Sequence, residues 1–205
     1  MLHESPVIFV IDDDISVREA LELLIQSMGW QSETYESAQE FLARPRAPVP
    51  NCLVLDVNLP DLNGLDLQKL IALERTETPV IFLSGVGDIP MTVKAMKAGA
   101  VEFLTKPFDD EVLLDAIAQA LDSSRAALAL ESEMKALRHR YALLSPRERE
   151  VMALVVSGLL NKQIAFELGI SEITVKAHRG QVMRKMEATS VAGLVNIAVR
   201  LRIAH

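Results

Sequence analysis

The chain has 205 residues, half of them hydrophobic, one cysteine and a formal net charge of −7, enough for one large domain or two small ones with real cores. Cys52 lies inside an apolar run, which argues against a disulfide framework and fits a reducing cytoplasm; no basic segment precedes the first apolar stretch, and no run approaches a membrane span, so neither a secretion signal nor a membrane anchor is expected. The charge is divided: residues 1–122 carry 21 acids and 8 bases, net −13, and residues 123–205 carry 7 and 13, net +6, as expected of two domains of which the basic one suits nucleic acid.

Short β-rich runs alternate with helical patterns through the first 121 residues. Val7–Ile11, Gln31–Tyr35, Cys52–Val57, Val80–Leu83 and Val101–Leu104 predict strands. Amphipathic stretches near Val17–Met28, Ala38–Leu42, Leu65–Leu73 and Met91–Ala98, and a fifth opening at Asp109, predict the helices between and after them. Gly29 and Gly99 fall where helices end. This alternation predicts an α/β domain, a doubly wound five-stranded parallel sheet. From Leu144 onward no strand pattern is seen. Helices are expected near Pro146–Val156, Lys162–Glu167, Glu172–Met186 and Val191–Arg202, with a capping box at Ser145 and Glu148 and caps at Ser171 and Ser190. Between the two parts, Ala127, Leu130, Met134, Leu137, Tyr141 and Leu144 keep a helical spacing. An unbroken helix from Asp109 and a break near Ser123–Ser124 are both open.

In an open α/β sheet, ligands bind beyond the carboxyl ends of the strands. Those ends carry Asp12 and Asp13, then Asp56, then Ser84, then Thr105, Lys106 and Pro107. Two carboxylates about 4 Å apart repel by roughly 4 kcal/mol at an effective dielectric near 20. A hard divalent cation would remove that cost. Oxygen donors without histidine or cysteine point to Mg²⁺, and Lys106 and Ser84 complement a phosphoryl group. Asp14 reads as a helix N-terminal acid with no metal role.

The fragments "IDDD", "CLVLDVNLPDLNG", "FLSG" and "EFLTKPF", in this order and spacing, resemble the receiver domain of two-component response regulators. The resemblance implies a flavodoxin-like fold over residues 6–122, with Asp56 as the acceptor of a phosphoryl group from a sensor histidine kinase. It further implies Mg²⁺ held by Asp12, Asp13, Asp56 and the backbone carbonyl of Asn58, phosphoryl contacts from Ser84 and Lys106, and Ser84 and Phe103 as switch side chains. By the same resemblance the Lys106–Pro107 bond is cis; the rarity of cis bonds alone predicts trans.

The segment "LSPREREVMALVVSGLLNKQIAFELGISEITVKAHRGQVMRKM" contains a helix–turn–helix pattern, its turn formed by Gly169 and Ser171. It resembles the LuxR-type four-helix DNA-binding domain, nearest the FixJ branch of response regulators, over residues 141–205; residues 123–140 are left as a helical linker. At about 100° per residue, Val175, Val182 and Met186 form the core stripe of the second helix. Ile173, Ala177, Gly180 and Arg184 lie opposite, with Lys176 and Gln181 on the flanks. Lys162, Thr174, Lys176, Ala177, Gln181 and Arg184 are the expected DNA contacts; His178, at the edge of the core stripe, is expected to pack.

The expected protein is a phosphorylation-activated, cytoplasmic transcription regulator that binds double-stranded promoter DNA and forms a homodimer when phosphorylated, with RNA polymerase as a further candidate partner and no membrane association. The rival reading is a Mg²⁺-dependent phosphotransferase or phosphatase using an aspartyl-phosphate. It would need a second catalytic acid and a substrate pocket, which the sequence does not supply, so the chain is not expected to be an enzyme. A third reading, a receiver joined to a protein-binding helical module, is separated from the first by a DNA-retention test.

Overall fold

The structure, a computed structural model, describes residues 5–46, 48–85 and 89–203. It divides into two compact units between Ala129 and Leu130. In the first, β1 (Val7–Ile11), α1 (Ile15–Ser27), β2 (Gln31–Tyr35), α2 (Ala38–Ala43), β3 (Asn51–Asp56), α3 (Gly64–Glu74), β4 (Val80–Ser84), α4 (Ile89–Lys97) and β5 (Glu102–Thr105) alternate, and α5 (Asp110–Ala142) follows. The strands form a parallel sheet in the order β2-β1-β3-β4-β5, the doubly wound arrangement expected.

Strand alternation divides the core into two faces. Val7, Phe9, Ile11, Leu53, Leu55, Val80 and Phe82 pack with Phe41 of α2, Leu67 and Ile71 of α3 and Ala95 of α4. Ile8, Val10, Cys52, Val54, Ile81 and Leu83 pack with Leu21 and Ile25 of α1 and with Leu113, Ile117 and Leu121 of α5. Because β1, β3 and β4 are buried on both faces, they read as unbroken apolar runs. β2, at the sheet edge, carries Gln31, Ser32 and Glu33.

Helix α5 is continuous over 33 residues, which resolves the question left open at Ser123–Ser124. Ser124 is fully buried, yet its hydroxyl accepts from the Asn51 N–H (3.0 Å) and donates to the Glu77 carbonyl (2.6 Å). A polar residue with both needs met inside the fold gives the helix no reason to break.

The second unit contains the C-terminal part of α5 and α6 (Pro146–Val156), α7 (Asn161–Leu168), α8 (Glu172–Lys185) and α9 (Val191–Arg200). Ser145 and Glu148 form the capping box, and Ser171 and Ser190 cap α8 and α9. Gly169 ends α7 at φ +63°, the left-handed conformation that lets the chain turn into α8. The core joins Val151, Met152, Val155, Ile164, Val175, Val182, Met186 and Leu194.

Glu148 also fixes α6 to α8. It is 6% exposed and accepts from Lys185 Nζ (2.6 Å) and from the Ser145 N–H (2.7 Å). The Lys185 hydrogen bond holds its carboxyl below the usual 4.5. A depressed folded-state value stabilises the protein above the unfolded pKa and is lost as pH falls through the folded one. The unfolding midpoint of the wild type should therefore exceed that of Glu148→Gln most at neutral pH. Thermal unfolding scans should show that advantage shrinking as the pH falls below about 4.5.

Candidate functional site

The sheet register brings the candidate residues together. β1 and β3 are neighbours where the strand order reverses, and Ile11 lies beside Leu55, so the next residues, Asp12 just past β1 and Asp56 at the end of β3, stand side by side. On the other flank Ser84 is level with Thr105, and Lys106 follows. Lys106 Nζ reaches between the acids, 2.6 Å from Asp12 Oδ2 and 2.9 Å from Asp56 Oδ1. Asp12 is 2% and Asp56 6% exposed. The Lys106 N–H donates to the Ser84 carbonyl (2.7 Å), and the Lys106–Pro107 bond is cis, as the resemblance implies and against the expectation from rarity.

The second oxygen of each acid is also engaged. Asp12 Oδ1 accepts from the Asp14 N–H (3.0 Å) and Asp56 Oδ2 from the Asn58 N–H (2.7 Å). Burial pushes the Asp12 carboxyl up from its ordinary value, outweighing the hydrogen bond from Lys106. Burial opposes the charge on Lys106, but the bonds to Asp12 and Asp56 raise its pKa nonetheless. The repulsion that the sequence implies is thus relieved here by the ammonium between the acids. Asp14 serves as the N-cap of α1, accepting from the Ser16 N–H (2.8 Å).

Asp13 is exposed at the rim, and among the described residues no three carboxylate, imidazole or thiolate groups converge to hold a metal unaided. The donor set still fits Mg²⁺, which takes one or two carboxylates and keeps several waters. Asp12, Asp56 and Lys106 together carry one net negative charge, and Asp13 adds a second, so the rim attracts a cation.

Two supporting residues are given no role from the sequence, although one of them, Gly64, closes the fragment "CLVLDVNLPDLNG". Arg18 Nη1 donates to the carbonyls of Asp12 (2.7 Å) and Asp13 (3.0 Å), clamping the acidic loop. Its sequence signal is a cation in the first turn of a helix, where the dipole disfavours one. Gly64 opens α3 against the Asp56 loop. A Cβ there would lie 2.8 Å from the Asp56 carbonyl oxygen and 3.1 Å from Val57 Cα; no local pattern announces such a contact. Ser84 is 1% exposed, and Phe103 is half-buried with its ring 6.0 Å from that of Phe82.

In the second unit, α8 buries Val175, Val182 and Met186. Ile173, Lys176, Ala177, Gly180, Gln181 and Arg184 are exposed, as is Lys162 at the start of α7; His178 is half-buried. Arg184 donates to the Gln181 side chain. Thr174 is half-buried, and its hydroxyl lies 2.8 Å from Ser171 Oγ, within the helix cap.

Residues 8–118 match the model of the response regulator receiver domain, and residues 142–198 that of bacterial regulatory proteins of the luxR family. Nodulation protein W of Bradyrhizobium diazoefficiens is 48% identical over 198 residues, covering 97% of this chain and 87% of that protein. The transcriptional regulatory protein FixJ of the same organism is 40% identical over 193 residues, 94% of each chain. Among solved structures, the response regulator StyR superposes with a TM-score of 0.83 at 44% identity, over 96% of this chain and 99% of that one. Full-length FixJ from B. japonicum gives 0.55 at 38% identity, over 97% and 98%.

Proposed function

Because this chain belongs to the response regulators that join a receiver domain to a LuxR-type DNA-binding domain, we propose that its control point is a phosphoryl group carried on Asp56. The observation that supports this most is the placement of Asp56, Asp12 and Lys106 within hydrogen-bond reach at the switch point of the sheet. The Asp56 carboxylate attacks phosphorus as the bond from phosphorus to the histidine nitrogen of the kinase breaks. Lys106 then turns from the carboxylates to the phosphoryl oxygens, which Ser84 also contacts. Asp12, Asp13, Asp56 and the carbonyl of Asn58 are the residues proposed to hold Mg²⁺, whose charge offsets that of the phosphoryl oxygens.

The receiver is assigned residues 6–122, the helical linker 123–140 and the DNA-binding domain 141–205. In the last, α8 enters the major groove of double-stranded promoter DNA with Ala177, Gln181 and Arg184 toward base edges and Lys176 and Lys162 toward phosphates; Thr174, whose hydroxyl lies 2.8 Å from Ser171 Oγ at the cap, completes the proposed contacts. A location in the cytoplasm and contact with RNA polymerase go with this role. No helix among the described residues is long and apolar enough to cross a membrane. Lys176→Ala should weaken binding to all sequences alike and flatten the salt dependence by about one unit. Titrations at several salt concentrations check this.

One helix–turn–helix covers a half-site, so specificity calls for a dimer. An apolar stripe on α4 supports pairing through the receiver face formed by α4 and β5: Ile89, Val93 and Met96 are 79%, 44% and 42% exposed at helical spacing, next to the strand that carries Phe103. Phosphate at Asp56, acting through Ser84 and Phe103, is proposed to pair two receivers across it. The test is incubation with a small phosphodonor and Mg²⁺. A single phosphoryl group per chain, its uptake blocked by chelator and accompanied by dimerisation in sedimentation, is the expected outcome. Repeated turnover would favour the phosphotransferase reading. A dimer unaffected by phosphate or by Val93→Glu would move the interface elsewhere.

A further inference from the structure

The first turn of α8 presents three side chains to whatever the helix enters: Glu172, Ile173 and Thr174. Glu172 has the wrong charge for a groove bordered by phosphates. The Thr174 hydroxyl is 2.8 Å from Ser171 Oγ and held in the cap. Ile173 remains, and it is 80% exposed. A β-branched side chain there does not serve the helix, since branching lowers helix propensity. It does not serve the core either, because Val175, Val182 and Met186 mark the opposite face.

The surroundings of Ile173 are consistent with close approach along that face. At about 100° per residue, Ile173, Ala177, Gly180 and Arg184 fall within one narrow strip along the outward side. A Cβ added at Gly180 would meet nothing within 4 Å, so the centre of the strip is low. Lys176 on one flank, and Gln181 and Arg184 toward the C-terminal end, supply the polar contacts. The result is an apolar knob at the leading end of a helix whose surrounding segment carries 13 bases against 7 acids. The major groove offers one apolar feature that encodes sequence, the C5-methyl group of thymine. Residues near the N-terminus of a recognition helix are among those that meet base edges.

We infer that Ile173 is a specificity residue that packs on a thymine methyl in each half-site, so that the preferred sequence contains a thymine read by its methyl alone. The inference rests on the DNA-binding reading above. Covering one methyl is worth a factor of about four in affinity, without the salt dependence of a phosphate contact.

The full chain, with and without a small phosphodonor and Mg²⁺, is used to select sequences from random double-stranded DNA. In the best duplex, each thymine is then replaced in turn by deoxyuridine, which lacks only the methyl. The wild type should weaken about fourfold at one thymine per half-site that is distinct from any thymine under Ala177. At that position Ile173→Ser should bind the thymine and uracil duplexes equally, whereas Ile173→Val retains most of the discrimination; sensitivity at a thymine under Ala177 is the same in all three proteins. Unfolding midpoints close to the wild type in both variants exclude a folding defect, as expected for a side chain outside the core. The absence of any uracil-sensitive position, or undiminished sensitivity in Ile173→Ser at every such position, overturns the inference while leaving DNA binding intact. Failure to select any sequence in either state overturns the DNA-binding reading and the inference with it.

Discussion

Asp56→Asn should take up no phosphoryl group from a phosphodonor and Mg²⁺ under conditions that label the wild type fully. The carboxylate accepts from Lys106 Nζ at 2.9 Å and from the Asn58 N–H at 2.7 Å. An amide can accept at only one of those places and offers no anionic oxygen to phosphorus, so the nucleophile is removed while the side chain keeps its size. Asp12 and Asp13 remain in this variant, which makes the loss specific to position 56. Lys106→Met should behave differently. It leaves the nucleophile but removes a cation from the transferring phosphoryl group, slowing uptake by about a hundredfold without changing its end point. Mass spectrometry of the intact protein over time distinguishes the two effects. Full labelling of Asp56→Asn would move the acceptor to another acid.

The parts of this site that were legible in the sequence are those that strand topology dictates. Apolar runs ending in Asp12 and Asp56 specify two acids at strand ends, and the switch-point rule brings them together. The register Ile11 beside Leu55 does so here. What the sequence could not convey is how the charges are neutralised. Lys106 is 94 residues from Asp12 and 50 from Asp56, and its bridging position depends on the β4–β5 register. The outward position of Asp13 arises equally from tertiary placement, whereas the Arg18 clamp is local, five and six residues from the carbonyls it holds. The same limit governed the linker. Adjacent serines weaken a helical pattern, and only the burial of Ser124 against Asn51 and Glu77 shows why α5 continues. In the C-terminal unit the caps were legible because they are local chemistry. The diversion of the Thr174 hydroxyl to Ser171 was not, since its spacing equally permits an outward hydroxyl.

Gly64 gives the second large effect, and its sign tests the packing argument. By helix propensity alone, Gly64→Ala at the first position of α3 should stabilise the protein, by up to about 1 kcal/mol. The surroundings predict the reverse. The new Cβ would lie 2.8 Å from the Asp56 carbonyl oxygen and 3.1 Å from Val57 Cα, both backbone atoms that cannot rotate away. The third neighbour, Phe82 Cε1 at 3.2 Å, belongs to a ring in the core whose centroid is 6.0 Å from that of Phe103. Relief therefore comes by displacing α3 from the loop or the loop from the sheet. Overpacking of this kind costs about 1–3 kcal/mol. Because the displaced segment carries the phosphoacceptor, a shift of order 1 Å should also slow phosphoryl uptake by about a hundredfold, even where the fold survives. Denaturant unfolding and labelling rates measured on the same variant check both parts. A stabilised Gly64→Ala protein that labels at the wild-type rate would mean that α3 has room to move and that the close approach does not position Asp56.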